Sequence, residues 1–269
     1  MTLAIDRRML NKVPLVTLAF WIIKILATTV GETGADFLNF RLGLGLVGTS
    51  LAMLVLLGLF LALQMRQDRY VPWIYWMVVV FLSIVGTLLT DNLSDNLGVS
   101  LFASTASFAL ALAATFILWY RSERTLSIHD ITTTRREAYY WAAILFTFAL
   151  GTASGDLVAE QFGLGYVTAA LIFGGAIALI TLGYYAVGLN SVLAFWLAYI
   201  LTRPLGASIG DLLTQSKANG GLALGTMTVS GAFLVVIVTL VIYLSVRGER
   251  DGSASLAASS PRKPTVPPA

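Results

Sequence analysis

Apolar residues run almost unbroken through eight stretches of the chain, 13–35, 42–65, 71–91, 98–120, 138–156, 164–187, 190–210 and 222–246. Each is close to the ~20 residues that a helix needs to cross the hydrocarbon core of a bilayer. None alternates polar with apolar positions, as the strands of a membrane barrel must. The pattern predicts an all-α membrane protein with eight transmembrane helices. It divides the chain into a cytoplasmic N-terminus (1–12), a first transmembrane half (13–120), a cytoplasmic loop (121–137) and a second half (138–246). The remaining tail (247–269), rich in Ser, Ala and Pro, reads as disordered.

A second pattern lies over the first. Each odd-numbered span carries an aromatic, a Trp, nine residues, a Gly, four residues and an Asp. The four copies are Phe20-Trp21 with Gly31 and Asp36, Tyr75-Trp76 with Gly86 and Asp91, Tyr140-Trp141 with Gly151 and Asp156, and Phe195-Trp196 with Gly206 and Asp211. The first half maps on the second at a constant offset, which also carries Gly43-Leu44-Gly45 onto Gly163-Leu164-Gly165. The unit is a two-helix hairpin, duplicated twice. Because each unit holds two spans, all copies enter the membrane in the same direction. The expected architecture is four parallel two-helix repeats, in two tandem halves, about an axis along the membrane normal. Residues 12–120 should superpose on 132–240.

Composition sharpens the class. Hydrophobic residues make up 57% and charged residues 12%, against about 25% charged in soluble domains. That excludes a soluble enzyme, and it excludes a nucleic-acid partner despite a pI near 9.2. The chain has no cysteine and one histidine, His129, so disulfides, thiolate chemistry and zinc, copper or haem sites are not expected, and no cofactor is. His129 and its neighbours show no catalytic spacing and read as solvated loop. The apolar run after the basic N-terminus is too long for a cleaved signal and should stay in the membrane.

Basic residues set the orientation. Arg7, Arg8 and Lys12 precede the first span, Arg66 and Arg69 follow the second, Arg121, Arg124, Arg135 and Arg136 follow the fourth, and Arg247, Arg250, Arg262 and Lys263 follow the eighth. Only Arg41 and Lys217 fall on the other side. Both termini are therefore expected in the cytoplasm, with the protein multi-pass in the inner cell membrane. Trp73 and Trp119 read as interface anchors, and Gly174 and Gly175 as close-packing positions.

The candidate chemistry lies in the odd spans. Seven of the fourteen acids, Glu32, Asp36, Asp91, Asp95, Asp156, Glu160 and Asp211, sit in the outer-end motifs. An Asp at a helix C-terminus meets the negative end of the macrodipole, and doing so four times suggests a compensating positive species. The copies have diverged: the position after the motif Gly is Glu32 in the first, and Thr87, Thr152 and Ala207 in the others. Lys24 and Arg203 are cations at mid-span, where they should face the bundle interior or water. Lys24 is eight residues from Glu32, about 12 Å along a helix, too far for a direct pair. Pro204 and Gly206 are expected to bend or break the seventh span and free carbonyls.

The run FWIIKILATTVGETGADFL, together with GTASGDL and GASIGDL, resembles a bacterial family of integral membrane proteins built from a duplicated repeat of unassigned function, over nearly all of 12–246. The Gly155-Asp156 and Gly210-Asp211 pairs are loosely similar to the Glu-x-Gly-Asp helices of cation exchangers that move calcium or manganese, without their Glu. The function expected is a secondary transporter of a hard divalent cation such as Mn²⁺, Mg²⁺ or Ca²⁺, in exchange for protons, since the chain offers oxygen ligands and no thiols. Glu32, Asp36, Asp91, Asp156, Asp211, Thr87 and Thr152 are the expected ligands, with Lys24 and Arg203 holding or releasing the acids. A small organic-anion transporter and a non-transporting scaffold are the alternatives. An intramembrane enzyme is disfavoured, as no HExxH or Ser/Lys signature is present. Partners reduce to the lipid bilayer and a small solute, with a homo-oligomer left open.

Overall fold

The computed structural model describes residues 11–41 and 43–259, and the side chains of all of these except Phe40, Arg41 and 248–259. Arg7, Arg8, Arg262 and Lys263, which entered the orientation argument, lie outside the described residues. The eight helices are α1 (Leu18–Asp36), α2 (Gly45–Met65), α3 (Pro72–Asp91), α4 (Leu101–Glu123), α5 (Thr134–Asp156), α6 (Gly165–Leu182), α7 (Ser191–Thr214) and α8 (Thr226–Ser259). All eight are long and apolar enough to cross a membrane, and no strand is present among the described residues. This is a multi-pass membrane protein.

Local chemistry starts the helices where they start. Thr17, Ser100, Thr133 and Asn190 cap α1, α4, α5 and α7 by accepting a backbone N–H of the first turn, and Pro72 opens α3 where its missing N–H costs nothing. The first helix begins at Leu18, later than expected from hydropathy, because Thr17 is its cap. The repeated Gly-Leu-Gly forms the entry to α2 and α6. Gly43, Gly45, Gly163 and Gly165 all take positive φ there, which a side chain would strain.

Three inner helices do not end at their motif aspartate. After Asp36, Asp91 and Asp156 the chain continues through one π-helical turn, Phe37–Arg41, Asn92–Asn96 and Leu157–Gln161. α7 passes its Asp211 as ordinary α-helix to Thr214. The aspartates therefore stand about a turn inside the helix ends, a correction to the expected terminal placement. Nor does Pro204 break α7, which is uninterrupted. Pro204 packs against Gly155 of α5, and α7 keeps its helical course without the one ladder bond that the ring removes.

The odd helices form a ring of four, with α1 against α3 and α7, and α5 against the same two. The even helices pack outside it, each on the inner helix of the next unit: α2 on α3, α4 on α5, α6 on α7, and α8 back on α1. The inner ring is mostly buried and the outer helices mostly exposed. Outer side chains such as Leu51, Val55, Leu110, Leu171, Leu179 and Val235 are more than half exposed. A soluble monomer would not present so large an apolar surface; lipid tails cover it here.

Two ladders close the ring with the same register at every seam. The motif aromatic of each unit packs on the motif Trp of the next: Phe20 on Trp76 (5.7 Å between ring centroids), Tyr75 on Trp141 (5.3 Å), Tyr140 on Trp196 (6.2 Å) and Phe195 on Trp21 (5.7 Å). The motif glycines make the second ladder. Gly31 abuts Ser83, Gly86 abuts Phe148, Gly151 abuts Arg203 and Gly206 abuts Thr28. In each case the partner lies three positions before the next unit's own motif Gly. Farther along, Gly34 meets Ile84, Gly155 meets Pro204 and Ala207, and Gly210 meets Thr29, Glu32 and Thr33. Contacts advance in the same direction on both members of each seam, so the inner helices are parallel and the repeats are related about the bundle axis.

Other expectations are revised. Trp119 is no interface anchor: it is fully buried, stacked on Tyr139 at 6.4 Å and edge-on to Trp196 at 5.8 Å. Trp73 is about half exposed, as an anchor should be. A Cβ on Gly174 would only touch Leu205, and Gly175 faces open space, so neither marks a tight contact. The expected disordered tail begins as helix, since α8 continues to Ser259; residues 260–269 lie outside the described residues.

Candidate functional site at the bundle axis

Counting from the motif glycine sorts the inner ring into layers. Eleven positions before it lie Phe20, Tyr75, Tyr140 and Phe195, all buried. Tyr75 and Tyr140 share a 2.5 Å hydroxyl–hydroxyl hydrogen bond, and Phe20 and Phe195 lie 6.1 Å apart. These four rings plug the axis at the end bearing the basic loops. Beyond the plug, toward the aspartates, the axis becomes polar.

Arg203 dominates that region. It lies three positions before Gly206, is fully buried, and extends from α7 to the other three inner helices. Nη1 donates to the Thr28 carbonyl of α1 at 2.9 Å. Nη2 donates to the Glu32 carboxylate at 2.8 Å, to Thr152 Oγ1 of α5 at 2.7 Å and to Thr87 Oγ1 of α3. Thr87 also donates to Glu32, at 3.4 Å. The layer that carries Glu32, Thr87, Thr152 and Ala207 is thus gathered around one guanidinium. Glu32 is 7% exposed, so this is a buried ion pair, and its desolvation is offset in part by the hydroxyls and the carbonyl that bond the guanidinium's two terminal nitrogens.

The motif aspartates form the next layer, one from each inner helix. Asp36, Asp91 and Asp156 are partly exposed and Asp211 is buried. All four lie within electrostatic reach of Glu32, and Asp91 and Asp211 also within reach of Arg203. Among the described residues no group of three His, Cys, Asp or Glu is close enough to hold a metal ion. The ring is an acidic mouth around the axis, not a finished coordination cage. Asp95 and Glu160, one turn farther out, are exposed and extend it.

Lys24 stands apart from the acids. It lies seven positions before Gly31, fully buried, with Nζ 4.0 Å from the centre of the Phe148 ring and 4.2 Å from that of Tyr199. Both distances are within the range of a cation–π contact. Nζ has no hydrogen-bond partner among the described residues.

Of the residues singled out from sequence, Glu32, Thr87, Thr152 and Arg203 come together directly. Asp36, Asp91, Asp156 and Asp211 surround the same axis, and Lys24 lies below them. Thr28 belongs to the diverged first copy but was not among the expected ligands, although its place three before Gly31, equivalent to Arg203 in α7, marks it. A second buried pair, at the plugged end, was missed. There Lys12 donates to Glu137 at 2.8 Å, and Gln64 and Trp141 donate to the same carboxylate at 3.0 and 3.4 Å. A cavity of about 570 Å³ opens off the axis, between α1, α6, α7 and the 126–129 segment, lined by partly buried Trp21 and exposed His129.

A family model described as a repeat of unknown function, DUF347, matches four times in tandem, at 19–70, 74–125, 139–189 and 194–249. Each match covers one inner helix and the outer helix that follows it. The curated proteins and the solved structures contain no match to the chain. With four copies spanning most of its length, the chain belongs to the family of this repeat of unknown function.

Proposed function

We propose that the protein is a secondary transporter of a hard divalent cation, Mn²⁺, Mg²⁺ or Ca²⁺, exchanged for protons. The observation that carries this reading is the ring of four aspartates, one per inner helix, set around an axis on which Glu32 is held by Arg203. Such a mouth concentrates cations. Ions that keep much of their water, as Mg²⁺ does, need only one or two carboxylates rather than an all-protein cage. Arg203 is placed to hold or release Glu32, which would open the axis toward the aromatic plug. Lys24 lies too far down the helix to share that task directly.

The test is flux into liposomes containing the purified protein. Uptake of Mn²⁺ or Ca²⁺ driven by a proton gradient is expected, and it should fall to the level of empty liposomes in Glu32→Gln and in Asp156→Asn. Normal transport in both variants would overturn the site. Loss of folding in Glu32→Gln would mark the ion pair as purely structural. A small organic anion is the second reading, favoured by the two buried cations. It would show as uptake of carboxylates with no cation flux, and a scaffold would show neither.

Orientation belongs to the same proposal. Both termini are placed in the cytoplasm of a cell with an inner membrane, on the strength of the basic loops. The chain has no native cysteine, so single introduced thiols report cleanly. Thr125→Cys should react only with reagents on the cytoplasmic side and Ser216→Cys only from outside. Labelling of both from one side would refute the arrangement.

A further inference from the structure

We infer that the axial compartment between the aromatic plug and the Arg203 layer is a binding site for a compact anion, with Lys24 as its anchor. Four buried polar groups of the two layers that bound this stretch have no partners among the described residues: Lys24 Nζ, Arg203 Nε, Tyr199 Oη and Ser83 Oγ. They come from α1, α7 and α3, in two successive layers, three and seven positions before the motif glycines. All four can donate a hydrogen bond, and two of them cannot accept one. Their side chains are wholly buried. What this set lacks is a negative charge to set against its two cations, and an anion supplies one together with lone pairs for all four donors.

The charge balance of the compartment points the same way. Arg203 is matched by Glu32 on the aspartate side of its layer. Lys24 has no carboxylate beside it. Toward the plug the next acid on the inner ring is Glu137, already occupied by Lys12. The faces of Phe148 and Tyr199 contact Nζ but accept no conventional hydrogen bond. Leaving a buried ammonium so poorly matched is costly, and an anion bridging Nζ, Nε and the two hydroxyls would remove the cost. The Phe148 and Tyr199 walls favour a small, weakly hydrated species such as a halide or nitrate, or the carboxylate end of an organic acid.

The inference does not rest on transport, because stability alone reads it. The purified protein in detergent would be melted at constant ionic strength, with the bulky gluconate replaced stepwise by chloride, nitrate or acetate. Tm is expected to rise along a saturation curve with the compact anions. In Lys24→Met the curve should be flat, and Tm in gluconate should exceed that of the natural protein, since an unmatched charge has gone. Tyr199→Phe keeps the ring, so it should fold and shift the half-saturating concentration upward about tenfold, the loss of one good hydrogen bond. Stabilisation by halides as well as acetate identifies a resident ion; stabilisation by carboxylates alone identifies the carboxylate of a cargo. A Tm in the natural protein that is indifferent to the anion, as an uncharged Lys24 would give, overturns the site. So does an unchanged curve in Lys24→Met or, should that variant fail to fold, in Tyr199→Phe.

Discussion

Replacing Arg203 by Met is expected to cost about 3–5 kcal/mol of stability, enough to unfold a marginal protein. The substitution strands the Glu32 carboxylate in a site 7% exposed and removes the one side chain that bonds all three other inner helices. The cost is in the stranding, not in the loss of attraction. Glu32→Gln combined with Arg203→Met should therefore recover most of it, because no buried charge is then left alone. A double-mutant cycle read by unfolding in mixed micelles measures this. Penalties that simply add would show that the two charges are not coupled. Arg203→Lys should rescue poorly, since an ammonium cannot reach three helices from one planar fork.

Adding a single methyl group to a ring glycine should be nearly as damaging. In Gly86→Ala the new Cβ would stand 2.6 Å from Phe148 Cβ and 3.1 Å from the Ala149 backbone nitrogen. Neither atom is the free end of a flexible side chain, so the α3–α5 seam must open. A loss of about 2–3 kcal/mol is expected, at the upper end for overpacking. Gly206→Ala, which would drive a methyl into Thr28, should behave alike. Gly58→Ala is the control: nothing lies within 4 Å of that Cβ, and replacing Gly by Ala in a helix should gain up to about 1 kcal/mol. Melting temperatures of the three purified variants decide it. Equal effects at Gly58 and Gly86 would show that the seam is loosely packed.

These sites were legible to different depths. The eight spans and the four-fold repeat followed from apolar run length and from Trp, Gly and Asp recurring at constant spacing. Those features are local, and bilayer thickness acts on each span separately. The pairing of Arg203 with Glu32 is not local. Yet both residues were marked by divergence, and their offsets from Gly206 and Gly31 place them one turn apart in register. Once the helices are known to be parallel, that register brings the two together. The isolation of Lys24 could not be read, because it depends on which neighbours fill the axis at its own level. Trp119 was misjudged for a related reason: a Trp near a helix end faces either lipid or a neighbour, and only the packing of α4 across α5 decides. The π turns left no readable signal in the apolar pattern.

The return of α8 to α1 means that the seam between the last unit and the first is built like the other three, without a covalent link of its own. Four separate identical hairpins could close the same rosette. They could not, however, carry this axis. Strict symmetry would bring four guanidiniums, or four carboxylates, to one point where a single one of each now fits. Fusion of the units into one polypeptide lifts that restriction. It lets each position on the axis mutate once instead of four times, so a symmetric scaffold can surround an asymmetric, electrically matched centre.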